Sequence, residues 1–310
     1  MCTYSPTRRY VVKGRSRPVG EIPTLRGREL GRRLRQVKDE AQLRGKALAQ
    51  LMGMPETRVS KILGGLVMPT QTEVAGLLAH CRTTDSRRDQ ILDLCDVRHD
   101  QSVLRLVGSE QWGAYAAYVA GASRLTEYEP TSIPALVQTP SYTDVYLASL
   151  WDWPDERAEV GQALRRVADA ERLSSVEIII NEWCLRTSVG SAAMMSEQLH
   201  HLLSLSIDGS ISVRVVARNY RPKHVLPGGF ALFDFPDQPA VLYRDLLTSG
   251  LFLDDLREVR THRAVVERLR FLAFDAAESR QLIRSIAAEY SRAADDEALG
   301  NDVDRDHCLS

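Results

Sequence analysis

Long apolar runs are missing from this sequence. No run reaches the roughly 18 residues that a membrane-spanning helix needs, and the basic opening stretch has no apolar core of signal-peptide length. The five cysteines are odd in number and form no C-x-x-C pair, which favours free thiols in a reducing compartment over a disulfide framework. We therefore expect a cytoplasmic protein without a membrane partner.

A pattern that would indicate catalysis or metal binding is also missing. The pair His200-His201 has no second pair of ligands at metal spacing, which favours a solvated or partner-facing pair. Glu182 and Cys184 follow the end of a predicted strand, where α/β sheets often place their sites. No base, nucleophile and orienting group can be assembled around them from the sequence. We expect a protein that is not an enzyme, with no catalytic residue, no metal and no cofactor.

The charges almost cancel over the whole chain, but they are unevenly distributed along it. The formal net charge is −1, whereas residues 1–98 hold 19 Lys and Arg against 10 Asp and Glu, a net of +9. Residues 99–310 hold 21 basic against 31 acidic side chains, a net of −10. This asymmetry favours a basic module that meets a polyanion, joined to an acidic module with another task. The alternative is two solvated surfaces that differ by chance.

At 310 residues the chain is long enough for two domains. Residues 1–25 are basic and show no period, and we predict that they form a flexible arm. Residues 26–98 show helical periodicity throughout, and Leu30, Leu34 and Val37 form the apolar stripe of the first of five short helices. The sequence therefore predicts a compact all-α domain, followed by a second domain.

The second domain, residues 99–292, has a different pattern. The stretch LTEYEPTSIPALVQTP is predicted to be extended and broken by prolines, and five β-rich runs follow: VEIIIN, ISVRVVA, GFALFDF, AVLYRD and GLFLDD. A helix predicted at about 194–206 separates the first two runs and allows a parallel crossover, whereas the later strands are predicted to pair antiparallel. We expect a mixed α/β domain of about five strands with flanking helices, so that the chain is α+β overall. Residues 293–310 are predicted to be an acidic disordered tail.

The stretch ALAQLMGMPETRVSKILGG is typical of two helices joined by a tight turn. A helix-turn-helix needs a small residue where the helices approach, a glycine four residues later for a left-handed turn, and a β-branched residue in the seam. The residues that fit this pattern and its core are Leu48, Ala49, Gly53, Val59 and Ile62. Pro55 suits the first turn of the second helix, which would place its polar face in the major groove of DNA. The alternative is an ordinary αα-corner with a solvated face.

Residues 26–98 resemble the phage-repressor-like (Xre-type) helix-turn-helix domain. The rest of the chain contains the motifs YEPTSIPALVQTPSYTDVYL, MMSEQLHHLL, ISVRVVARNYRP, GGFALFDF, AVLYRD and ESRQLI. With these motifs the chain from about 26 to 292 resembles an actinobacterial family of Xre-type, antitoxin-like transcriptional regulators whose C-terminal domain is of poorly defined function. The helix-turn-helix motif is specific for DNA binding, whereas the C-terminal motifs are specific for the family and say little about mechanism.

The resemblance implies which side chains contact DNA. The residues implied to read bases are Glu56, Thr57, Ser60 and Lys61, with Arg58 at the backbone or at a neighbouring base. The residues implied to contact phosphates are Arg44, Lys46 and Thr70. The chain departs from the family at Arg44, where Thr or Ser is common, and at Leu63, where the family often has a Glu that pairs with an Arg at the position of Lys38. The loop GGLVMPT also lacks the usual basic residues.

The resemblance implies a cytoplasmic DNA-binding regulator of transcription. In the first function class the protein is a repressor that binds a palindromic operator on double-stranded DNA as a homodimer. Its acidic C-terminal domain then senses a protein partner or a small-molecule effector. In the second class the protein is antitoxin-like, sequesters a small partner protein encoded nearby, and regulates its own operon.

Overall fold

The chain divides after Cys95 into two compact units, which we call the N-terminal and the C-terminal unit. The computed structural model describes residues 24–95, 102–150, 154–168, 175–209, 211–218, 228–246 and 248–307. The predicted basic arm, residues 1–25, lies outside the described residues except for its last two positions. The predicted α+β architecture is confirmed, with helices alone in the first unit and a mixed sheet in the second.

The N-terminal unit is the predicted bundle of five helices. They are α1 (Leu25–Glu40), α2 (Gly45–Met52), α3 (Glu56–Leu63), α4 (Gln71–His80) and α5 (Asp85–Asp93). Thr24 caps α1, since its hydroxyl accepts a hydrogen bond of 3.1 Å from the amide of Gly27. The leucines predicted to form the inner stripe of α1, Leu30 and Leu34, are buried in the core.

Helix α1 packs directly against the turn that follows α3. Gly65 in this turn has φ +70°, and a Cβ there would lie 2.5 Å from the carbonyl oxygen of Gly27. A Cβ on Gly31 would lie 2.7 Å from the carbonyl oxygen of Leu63. Arg35, one turn further along α1, donates a hydrogen bond to the same carbonyl of Leu63. The backbones therefore touch, and the end of α3 is fixed to α1.

The C-terminal unit is built on one seven-stranded sheet. Its strands are β1 (Val103–Val107), β2 (Arg124–Glu129), β3 (Val176–Asn181), β4 (Ser212–Val216), β5 (Phe230–Asp234), β6 (Val241–Leu246) and β7 (Ser249–Leu253). The spatial order is β1-β7-β6-β5-β2-β3-β4. The pairs β2–β3 and β3–β4 are parallel, and the other pairs are antiparallel.

Seven helices accompany the sheet among the described residues. They are α6 (Gly108–Gly121), α7 (Pro140–Leu150), α8 (Pro154–Ala168), α9 (Glu182–Arg186), α10 (Ala192–Ile207), α11 (Leu256–Leu272) and α12 (Ala276–His307), with a 3-10 turn at Ala135–Val137. The predicted parallel crossover is present, since α10 joins the parallel strands β3 and β4. Within the part of the chain that is described, no helix is long and apolar enough to cross a membrane.

The sheet has seven strands, whereas the sequence predicts about five. The two additional strands are β1 and β2. Strand β1 is the short run VLRLV, and β2 lies inside the stretch predicted only to be extended. Glu127 in β2 is only 8% exposed, although its charge makes the run look like a surface segment. Both segments form strands because they pair with partners far away in the sequence, as β1 does with β7.

The end of the chain also differs from the prediction. Helix α12 continues to His307, where the sequence predicts a disordered acidic tail over residues 293–310. The tail begins with AADDEAL, which contains good helix formers and no proline, so its local propensity allows the preceding helix to continue.

We predict that Gly31→Ala destabilises the N-terminal unit. The new Cβ would lie 2.7 Å from the carbonyl oxygen of Leu63 and 2.8 Å from the amide nitrogen of Gly65, and backbone atoms in a packed interior cannot easily move aside. The expected loss in the free energy of unfolding is about 1–3 kcal/mol, measured by urea unfolding followed by circular dichroism.

The matched control for this substitution is Gly45→Ala in the first turn of α2. Nothing lies within 4 Å of a Cβ there, so we expect unchanged stability or a gain of up to about 1 kcal/mol. Identical unfolding curves for Gly31→Ala and the parent protein would contradict the close packing of α1.

Candidate nucleic-acid interface

Helices α2 and α3 form a helix-turn-helix. Gly53 ends α2 in the left-handed conformation with φ 62°, and its amide donates to the carbonyl of Gln50 at 3.1 Å. The side chains in the seam between the two helices are buried: Leu48, Ala49, Val59 and Ile62. Pro55 is the N-cap residue of α3, one position before the first turn in which the sequence places it. Gly53 allows the left-handed turn, and the buried seam packs the two helices against each other.

The outer face of α3 is polar and open to solvent. Glu56, Thr57, Ser60 and Lys61 are all exposed. Residues four apart on a helix are neighbours on its surface, so these side chains form two adjacent rows. Within the described part of the chain, none of them has a side-chain hydrogen bond or ion pair. Their donors and acceptors are therefore available to a ligand that lies along α3.

Arg58 is engaged by the neighbouring helix. Its Nε and Nη2 donate to the two carboxylate oxygens of Glu73 on α4, at 2.7 and 2.9 Å. The Arg58 hydrogen bond, together with the amide of Thr70, lowers the pKa of Glu73 to about 2 despite partial burial. The pair ties α3 to α4. Its base or backbone contact with DNA stays a prediction, and such a contact requires competition with Glu73.

Thr70 is held by the same carboxylate. Its hydroxyl accepts from the amide of Glu73 at 3.2 Å, and its own amide donates to Glu73 Oε2 at 2.8 Å, which together make the capping box of α4. The sequence motif T-x-x-E contains this signal. Thr70 therefore has a structural role, and its predicted phosphate contact is untested.

Arg44 and Lys46 lie at the start of α2, and both are exposed. Arg44 is the N-cap residue of the helix, and its side chain makes no capping hydrogen bond. The N-terminus of a helix carries unpaired amides and a partial positive charge, which favour a phosphate. Both cations thus lie at a helix end that favours anions, and their phosphate contacts stay a prediction.

Several arginines in the N-terminal unit are occupied by internal partners. Arg32 and Arg33 both bind the buried carboxylate of Glu29, with N–O distances of 2.7 Å. Arg26 is only 6% exposed and donates to the backbone carbonyl of Asp93 at 2.8 Å. The spacing of Glu29 to Arg32 and Arg33 along one helix could have revealed this cluster from the sequence. The basic excess of the unit is therefore partly structural.

The C-terminal candidates of the sequence have ordinary partners. Glu182 accepts from Arg186 Nε at 2.6 Å and from the amide of Arg218 at 3.0 Å. Burial raises the pKa of Cys184 to about 12, so its thiol stays protonated near neutral pH. His200 is exposed, and its Nδ1 lies 2.8 Å from the carbonyl oxygen of Ser196. Among the described residues, Glu182 and Cys184 form no catalytic arrangement with His200 and His201.

Comparison with known proteins agrees with this geometry. Residues 29–91 match the model of a helix-turn-helix domain, so the first unit contains a helix-turn-helix domain. Residues 112–285 match the model described as Domain of unknown function (DUF5753). This match covers more than half of the chain, and the protein belongs to the DUF5753 family. No curated protein matches the sequence.

A solved structure with a distant likeness is that of TrmBL2, described as an archaeal chromatin protein with a novel mode of DNA binding. The sequence identity is 11%, and the alignment covers 75% of this chain and 88% of that chain. The TM-score is 0.30, which is too low to carry an argument about function.

We predict that Glu73→Gln increases the affinity of the protein for DNA. The substitution frees Arg58 and removes a negative charge beside α3, while Gln can still complete the capping box. The loss in stability should be small, because Arg58 is partly exposed and exposed ion pairs contribute little. One more cation at the DNA backbone should steepen the dependence of log K on log salt by about one, measured by fluorescence anisotropy across a salt series.

The double variant Glu73→Gln/Arg58→Ala is the control for this prediction, and its salt slope should return to that of the parent protein. If Glu73→Gln alone leaves the salt slope unchanged, Arg58 has no role at the DNA backbone.

Proposed function

We propose that this protein is a DNA-binding regulator of transcription, and that it acts as a repressor. The observation that carries the proposal is the exposed, unpartnered polar face of α3 within a helix-turn-helix. In such motifs the N-terminal residues of the second helix contact base edges in the major groove. The cations at the start of α2 supply the phosphate contacts that fix the register of the protein on the duplex. The Xre-type and actinobacterial resemblance of the sequence fits this role, as does a cytoplasmic location.

The protein is proposed to act as a homodimer on a palindromic operator. One recognition helix contacts only about half a turn of groove, so such domains usually bind as two-fold dimers. Among the described residues, exposed large apolar side chains are concentrated in the C-terminal unit. Phe271 on α11 is 88% exposed, Ile207 63% and Leu256 59%, whereas the N-terminal unit exposes Leu51 and Leu66 at 52% and 45%. We infer that the C-terminal unit holds most of the dimer interface.

The C-terminal unit is further proposed to sense a partner protein or a small effector. The alternative function, an antitoxin-like protein that sequesters a small partner and regulates its own operon, rests on the sequence resemblance alone. We propose no enzymatic activity for either unit.

We predict that Thr57→Ala and Lys61→Ala each weaken operator binding by about 1–3 kcal/mol and relax the base preference. Both side chains are exposed on the outer face of α3, so the folded state should be unaffected. The operator is first defined by selection from random duplexes, and the affinities for operator and random DNA are then compared by anisotropy.

Arg88→Ala is the charge-matched control, since Arg88 lies on α5, outside the helix-turn-helix. It should leave the ratio of operator to random-DNA affinity unchanged. Equal losses on operator and random DNA for Thr57→Ala and Lys61→Ala would show that these residues do not read bases.

We predict that the isolated fragment 1–98 is a monomer and binds the operator far more weakly than the full chain. The reason is that the fragment lacks the proposed dimer interface while it keeps all the proposed DNA contacts. Light scattering gives the mass, and anisotropy gives the affinity. A fragment that is dimeric and binds at full strength would place the interface in the N-terminal unit instead.

The basic arm gives a separate prediction. Deletion of residues 2–23 keeps the helix cap Thr24 and removes five cations. If the arm contacts phosphates, the salt dependence of binding should become shallower, and affinity should fall alike on all sequences. An unchanged salt slope would remove the arm from the proposed interface.

A further inference from the structure

Three carboxyl groups lie on one face of the sheet in the C-terminal unit. Glu127 and Glu129 alternate with Tyr128 along β2, so they share a face. The ladder pairs Glu127 with Ala231 of β5, and Ala231 with Tyr243 of β6. Asp245 follows Tyr243 on the same face of β6. Glu127 therefore lies in one row that crosses β2, β5 and β6. Glu129 and Asp245 lie in the next row on the same face.

Gly229 allows the carboxylates of Glu129 and Asp245 to approach each other. A Cβ on Gly229 would lie 2.5 Å from Glu129 Oε2, so the carboxylate of Glu129 lies over the start of β5, toward β6. The antiparallel register of β5 and β6, carried two residues past Ala231 and Tyr243, sets Gly229 opposite Asp245. A larger residue at 229 would occupy the space that the carboxylate uses.

The exposure of the three groups changes with depth. Asp245 is exposed, Glu129 is half-buried and Glu127 is buried. The three groups therefore run from the surface toward the interior of the domain, and we call this cluster the carboxylate recess. Its lining residues are Gln111, Glu127, Glu129, Tyr146, Tyr243 and Asp245.

No arginine or lysine among the described residues pairs with a carboxylate of the recess. Glu127 accepts from the Tyr115 hydroxyl at 3.0 Å, Glu129 from the Thr131 hydroxyl at 3.0 Å, and Asp245 from Gln111 Nε2 at 3.1 Å. Elsewhere in this unit the partly buried carboxylate of Glu177 binds Arg270 Nε at 2.9 Å, and that of Glu182 binds Arg186.

Gln111 adds a buried acceptor without a donor. The residue is 4% exposed, and its Nε2 is directed into the recess by Asp245 and by the Tyr243 hydroxyl at 3.4 Å. Its Oε1 is buried and has no hydrogen-bond partner among the described residues. A buried acceptor that lacks a donor is destabilising. Within the described part of the chain, the acceptors of the recess therefore outnumber its donors, and a donor-bearing ligand would satisfy them.

Each of the three recess carboxyl groups has a raised pKa. Burial, and then the charge of Glu129, raises the pKa of Glu127 to about 8. Desolvation of its carboxyl group, and then the charge of Glu129, raises the pKa of Asp245 to about 7, although the residue as a whole is exposed. Burial also raises the pKa of Glu129, and a cation bound beside these groups would stabilise their ionised forms.

Aromatic rings form part of the wall. The rings of Tyr115 and Tyr243 are edge-to-face with centroids 4.9 Å apart, and Tyr142 stacks on Tyr146 at 6.0 Å. Burial raises the pKa of Tyr146, and the charges of Asp245 and Glu129 raise it further. Carboxylates combined with aromatic walls suit an organic cation, whose charge and apolar part can both be accommodated.

We propose that the carboxylate recess is a binding site for a small organic cation that carries an ammonium or guanidinium group. Its N–H groups donate to the three carboxylates and to the orphaned Gln111 carbonyl, and its carbon skeleton lies against the tyrosine rings. The site is independent of DNA binding. Only the role of this cation as the effector rests on the proposed function.

The test measures the binding of 1,4-diaminobutane to the full chain by calorimetry and thermal shift, in the absence of DNA. The neutral isostere 1,4-butanediol and magnesium chloride are run in parallel. We expect the diamine to bind and to raise Tm, and the diol to do neither. Binding should weaken at least tenfold, about 1.4 kcal/mol, in Glu129→Gln and in Asp245→Asn.

These two variants are expected to fold, because each replacement resembles the protonated carboxyl, and circular dichroism checks this. Asp237→Asn removes an exposed carboxylate in the turn between β5 and β6, and it should bind the diamine as the parent protein does. Absence of diamine binding, equal effects of diamine and diol, or unchanged affinity in both recess variants would overturn the proposal. Stabilisation by magnesium alone, lost in those variants, would overturn it in favour of a metal site.

A second measurement separates this proposal from the proposed function. Operator affinity is determined with and without saturating diamine. A change in affinity supports the cation as an effector. Diamine binding without such a change keeps the site and removes only its regulatory role, and a failure of DNA binding leaves the calorimetric result as it stands.

Discussion

The contact between α1 and the turn after α3 is the constraint on which the N-terminal unit depends. Glycines at 27, 31 and 65 let two backbones touch where side chains would hold them apart. The end of α3 is thereby fixed to the longest helix of the unit, and the Arg58–Glu73 pair fixes the other side of α3 to α4. The exposed polar face of α3 owes its orientation to these two attachments, since the helix itself has only eight residues and would be marginal alone.

Basic charge in this unit serves two different purposes, which a net charge cannot separate. The arginines around Glu29 and Asp93 hold the bundle together, whereas Arg44, Lys46 and Lys61 remain at the surface. Charge asymmetry along the sequence therefore gave the correct partner class for an incomplete reason. Steering toward a polyanion depends on the exposed cations alone, and the internal pairs contribute little to the field outside the protein.

The helix-turn-helix could be predicted because its signals are local: Gly53, the seam residues and the five helical stripes all lie within short windows. The parallel crossover was equally accessible, because β3, α10 and β4 follow each other along the chain. Strand β2 could not be predicted in this way, because Glu127 and Glu129 look like surface residues in the sequence. Only the fold places them beneath α6 and α7. The engagement of Arg58 by Glu73 was missed for a similar reason, because the two residues belong to different helices and only the packed bundle brings them together.

Strands β1 and β7 are neighbours in the sheet although they are far apart in the chain. This pairing affects how the protein folds during its synthesis. Val103 pairs with Leu253, so the first strand of the C-terminal unit has no partner until the ribosome has passed β7. The five helices of the N-terminal unit lie within residues 25–93 and can fold once this stretch has emerged, because domains generally fold as units in the order of synthesis. A nascent chain therefore carries a finished helix-turn-helix while its sheet is incomplete. During that interval β1 has no strand partner, and unpaired strand edges are prone to aggregation.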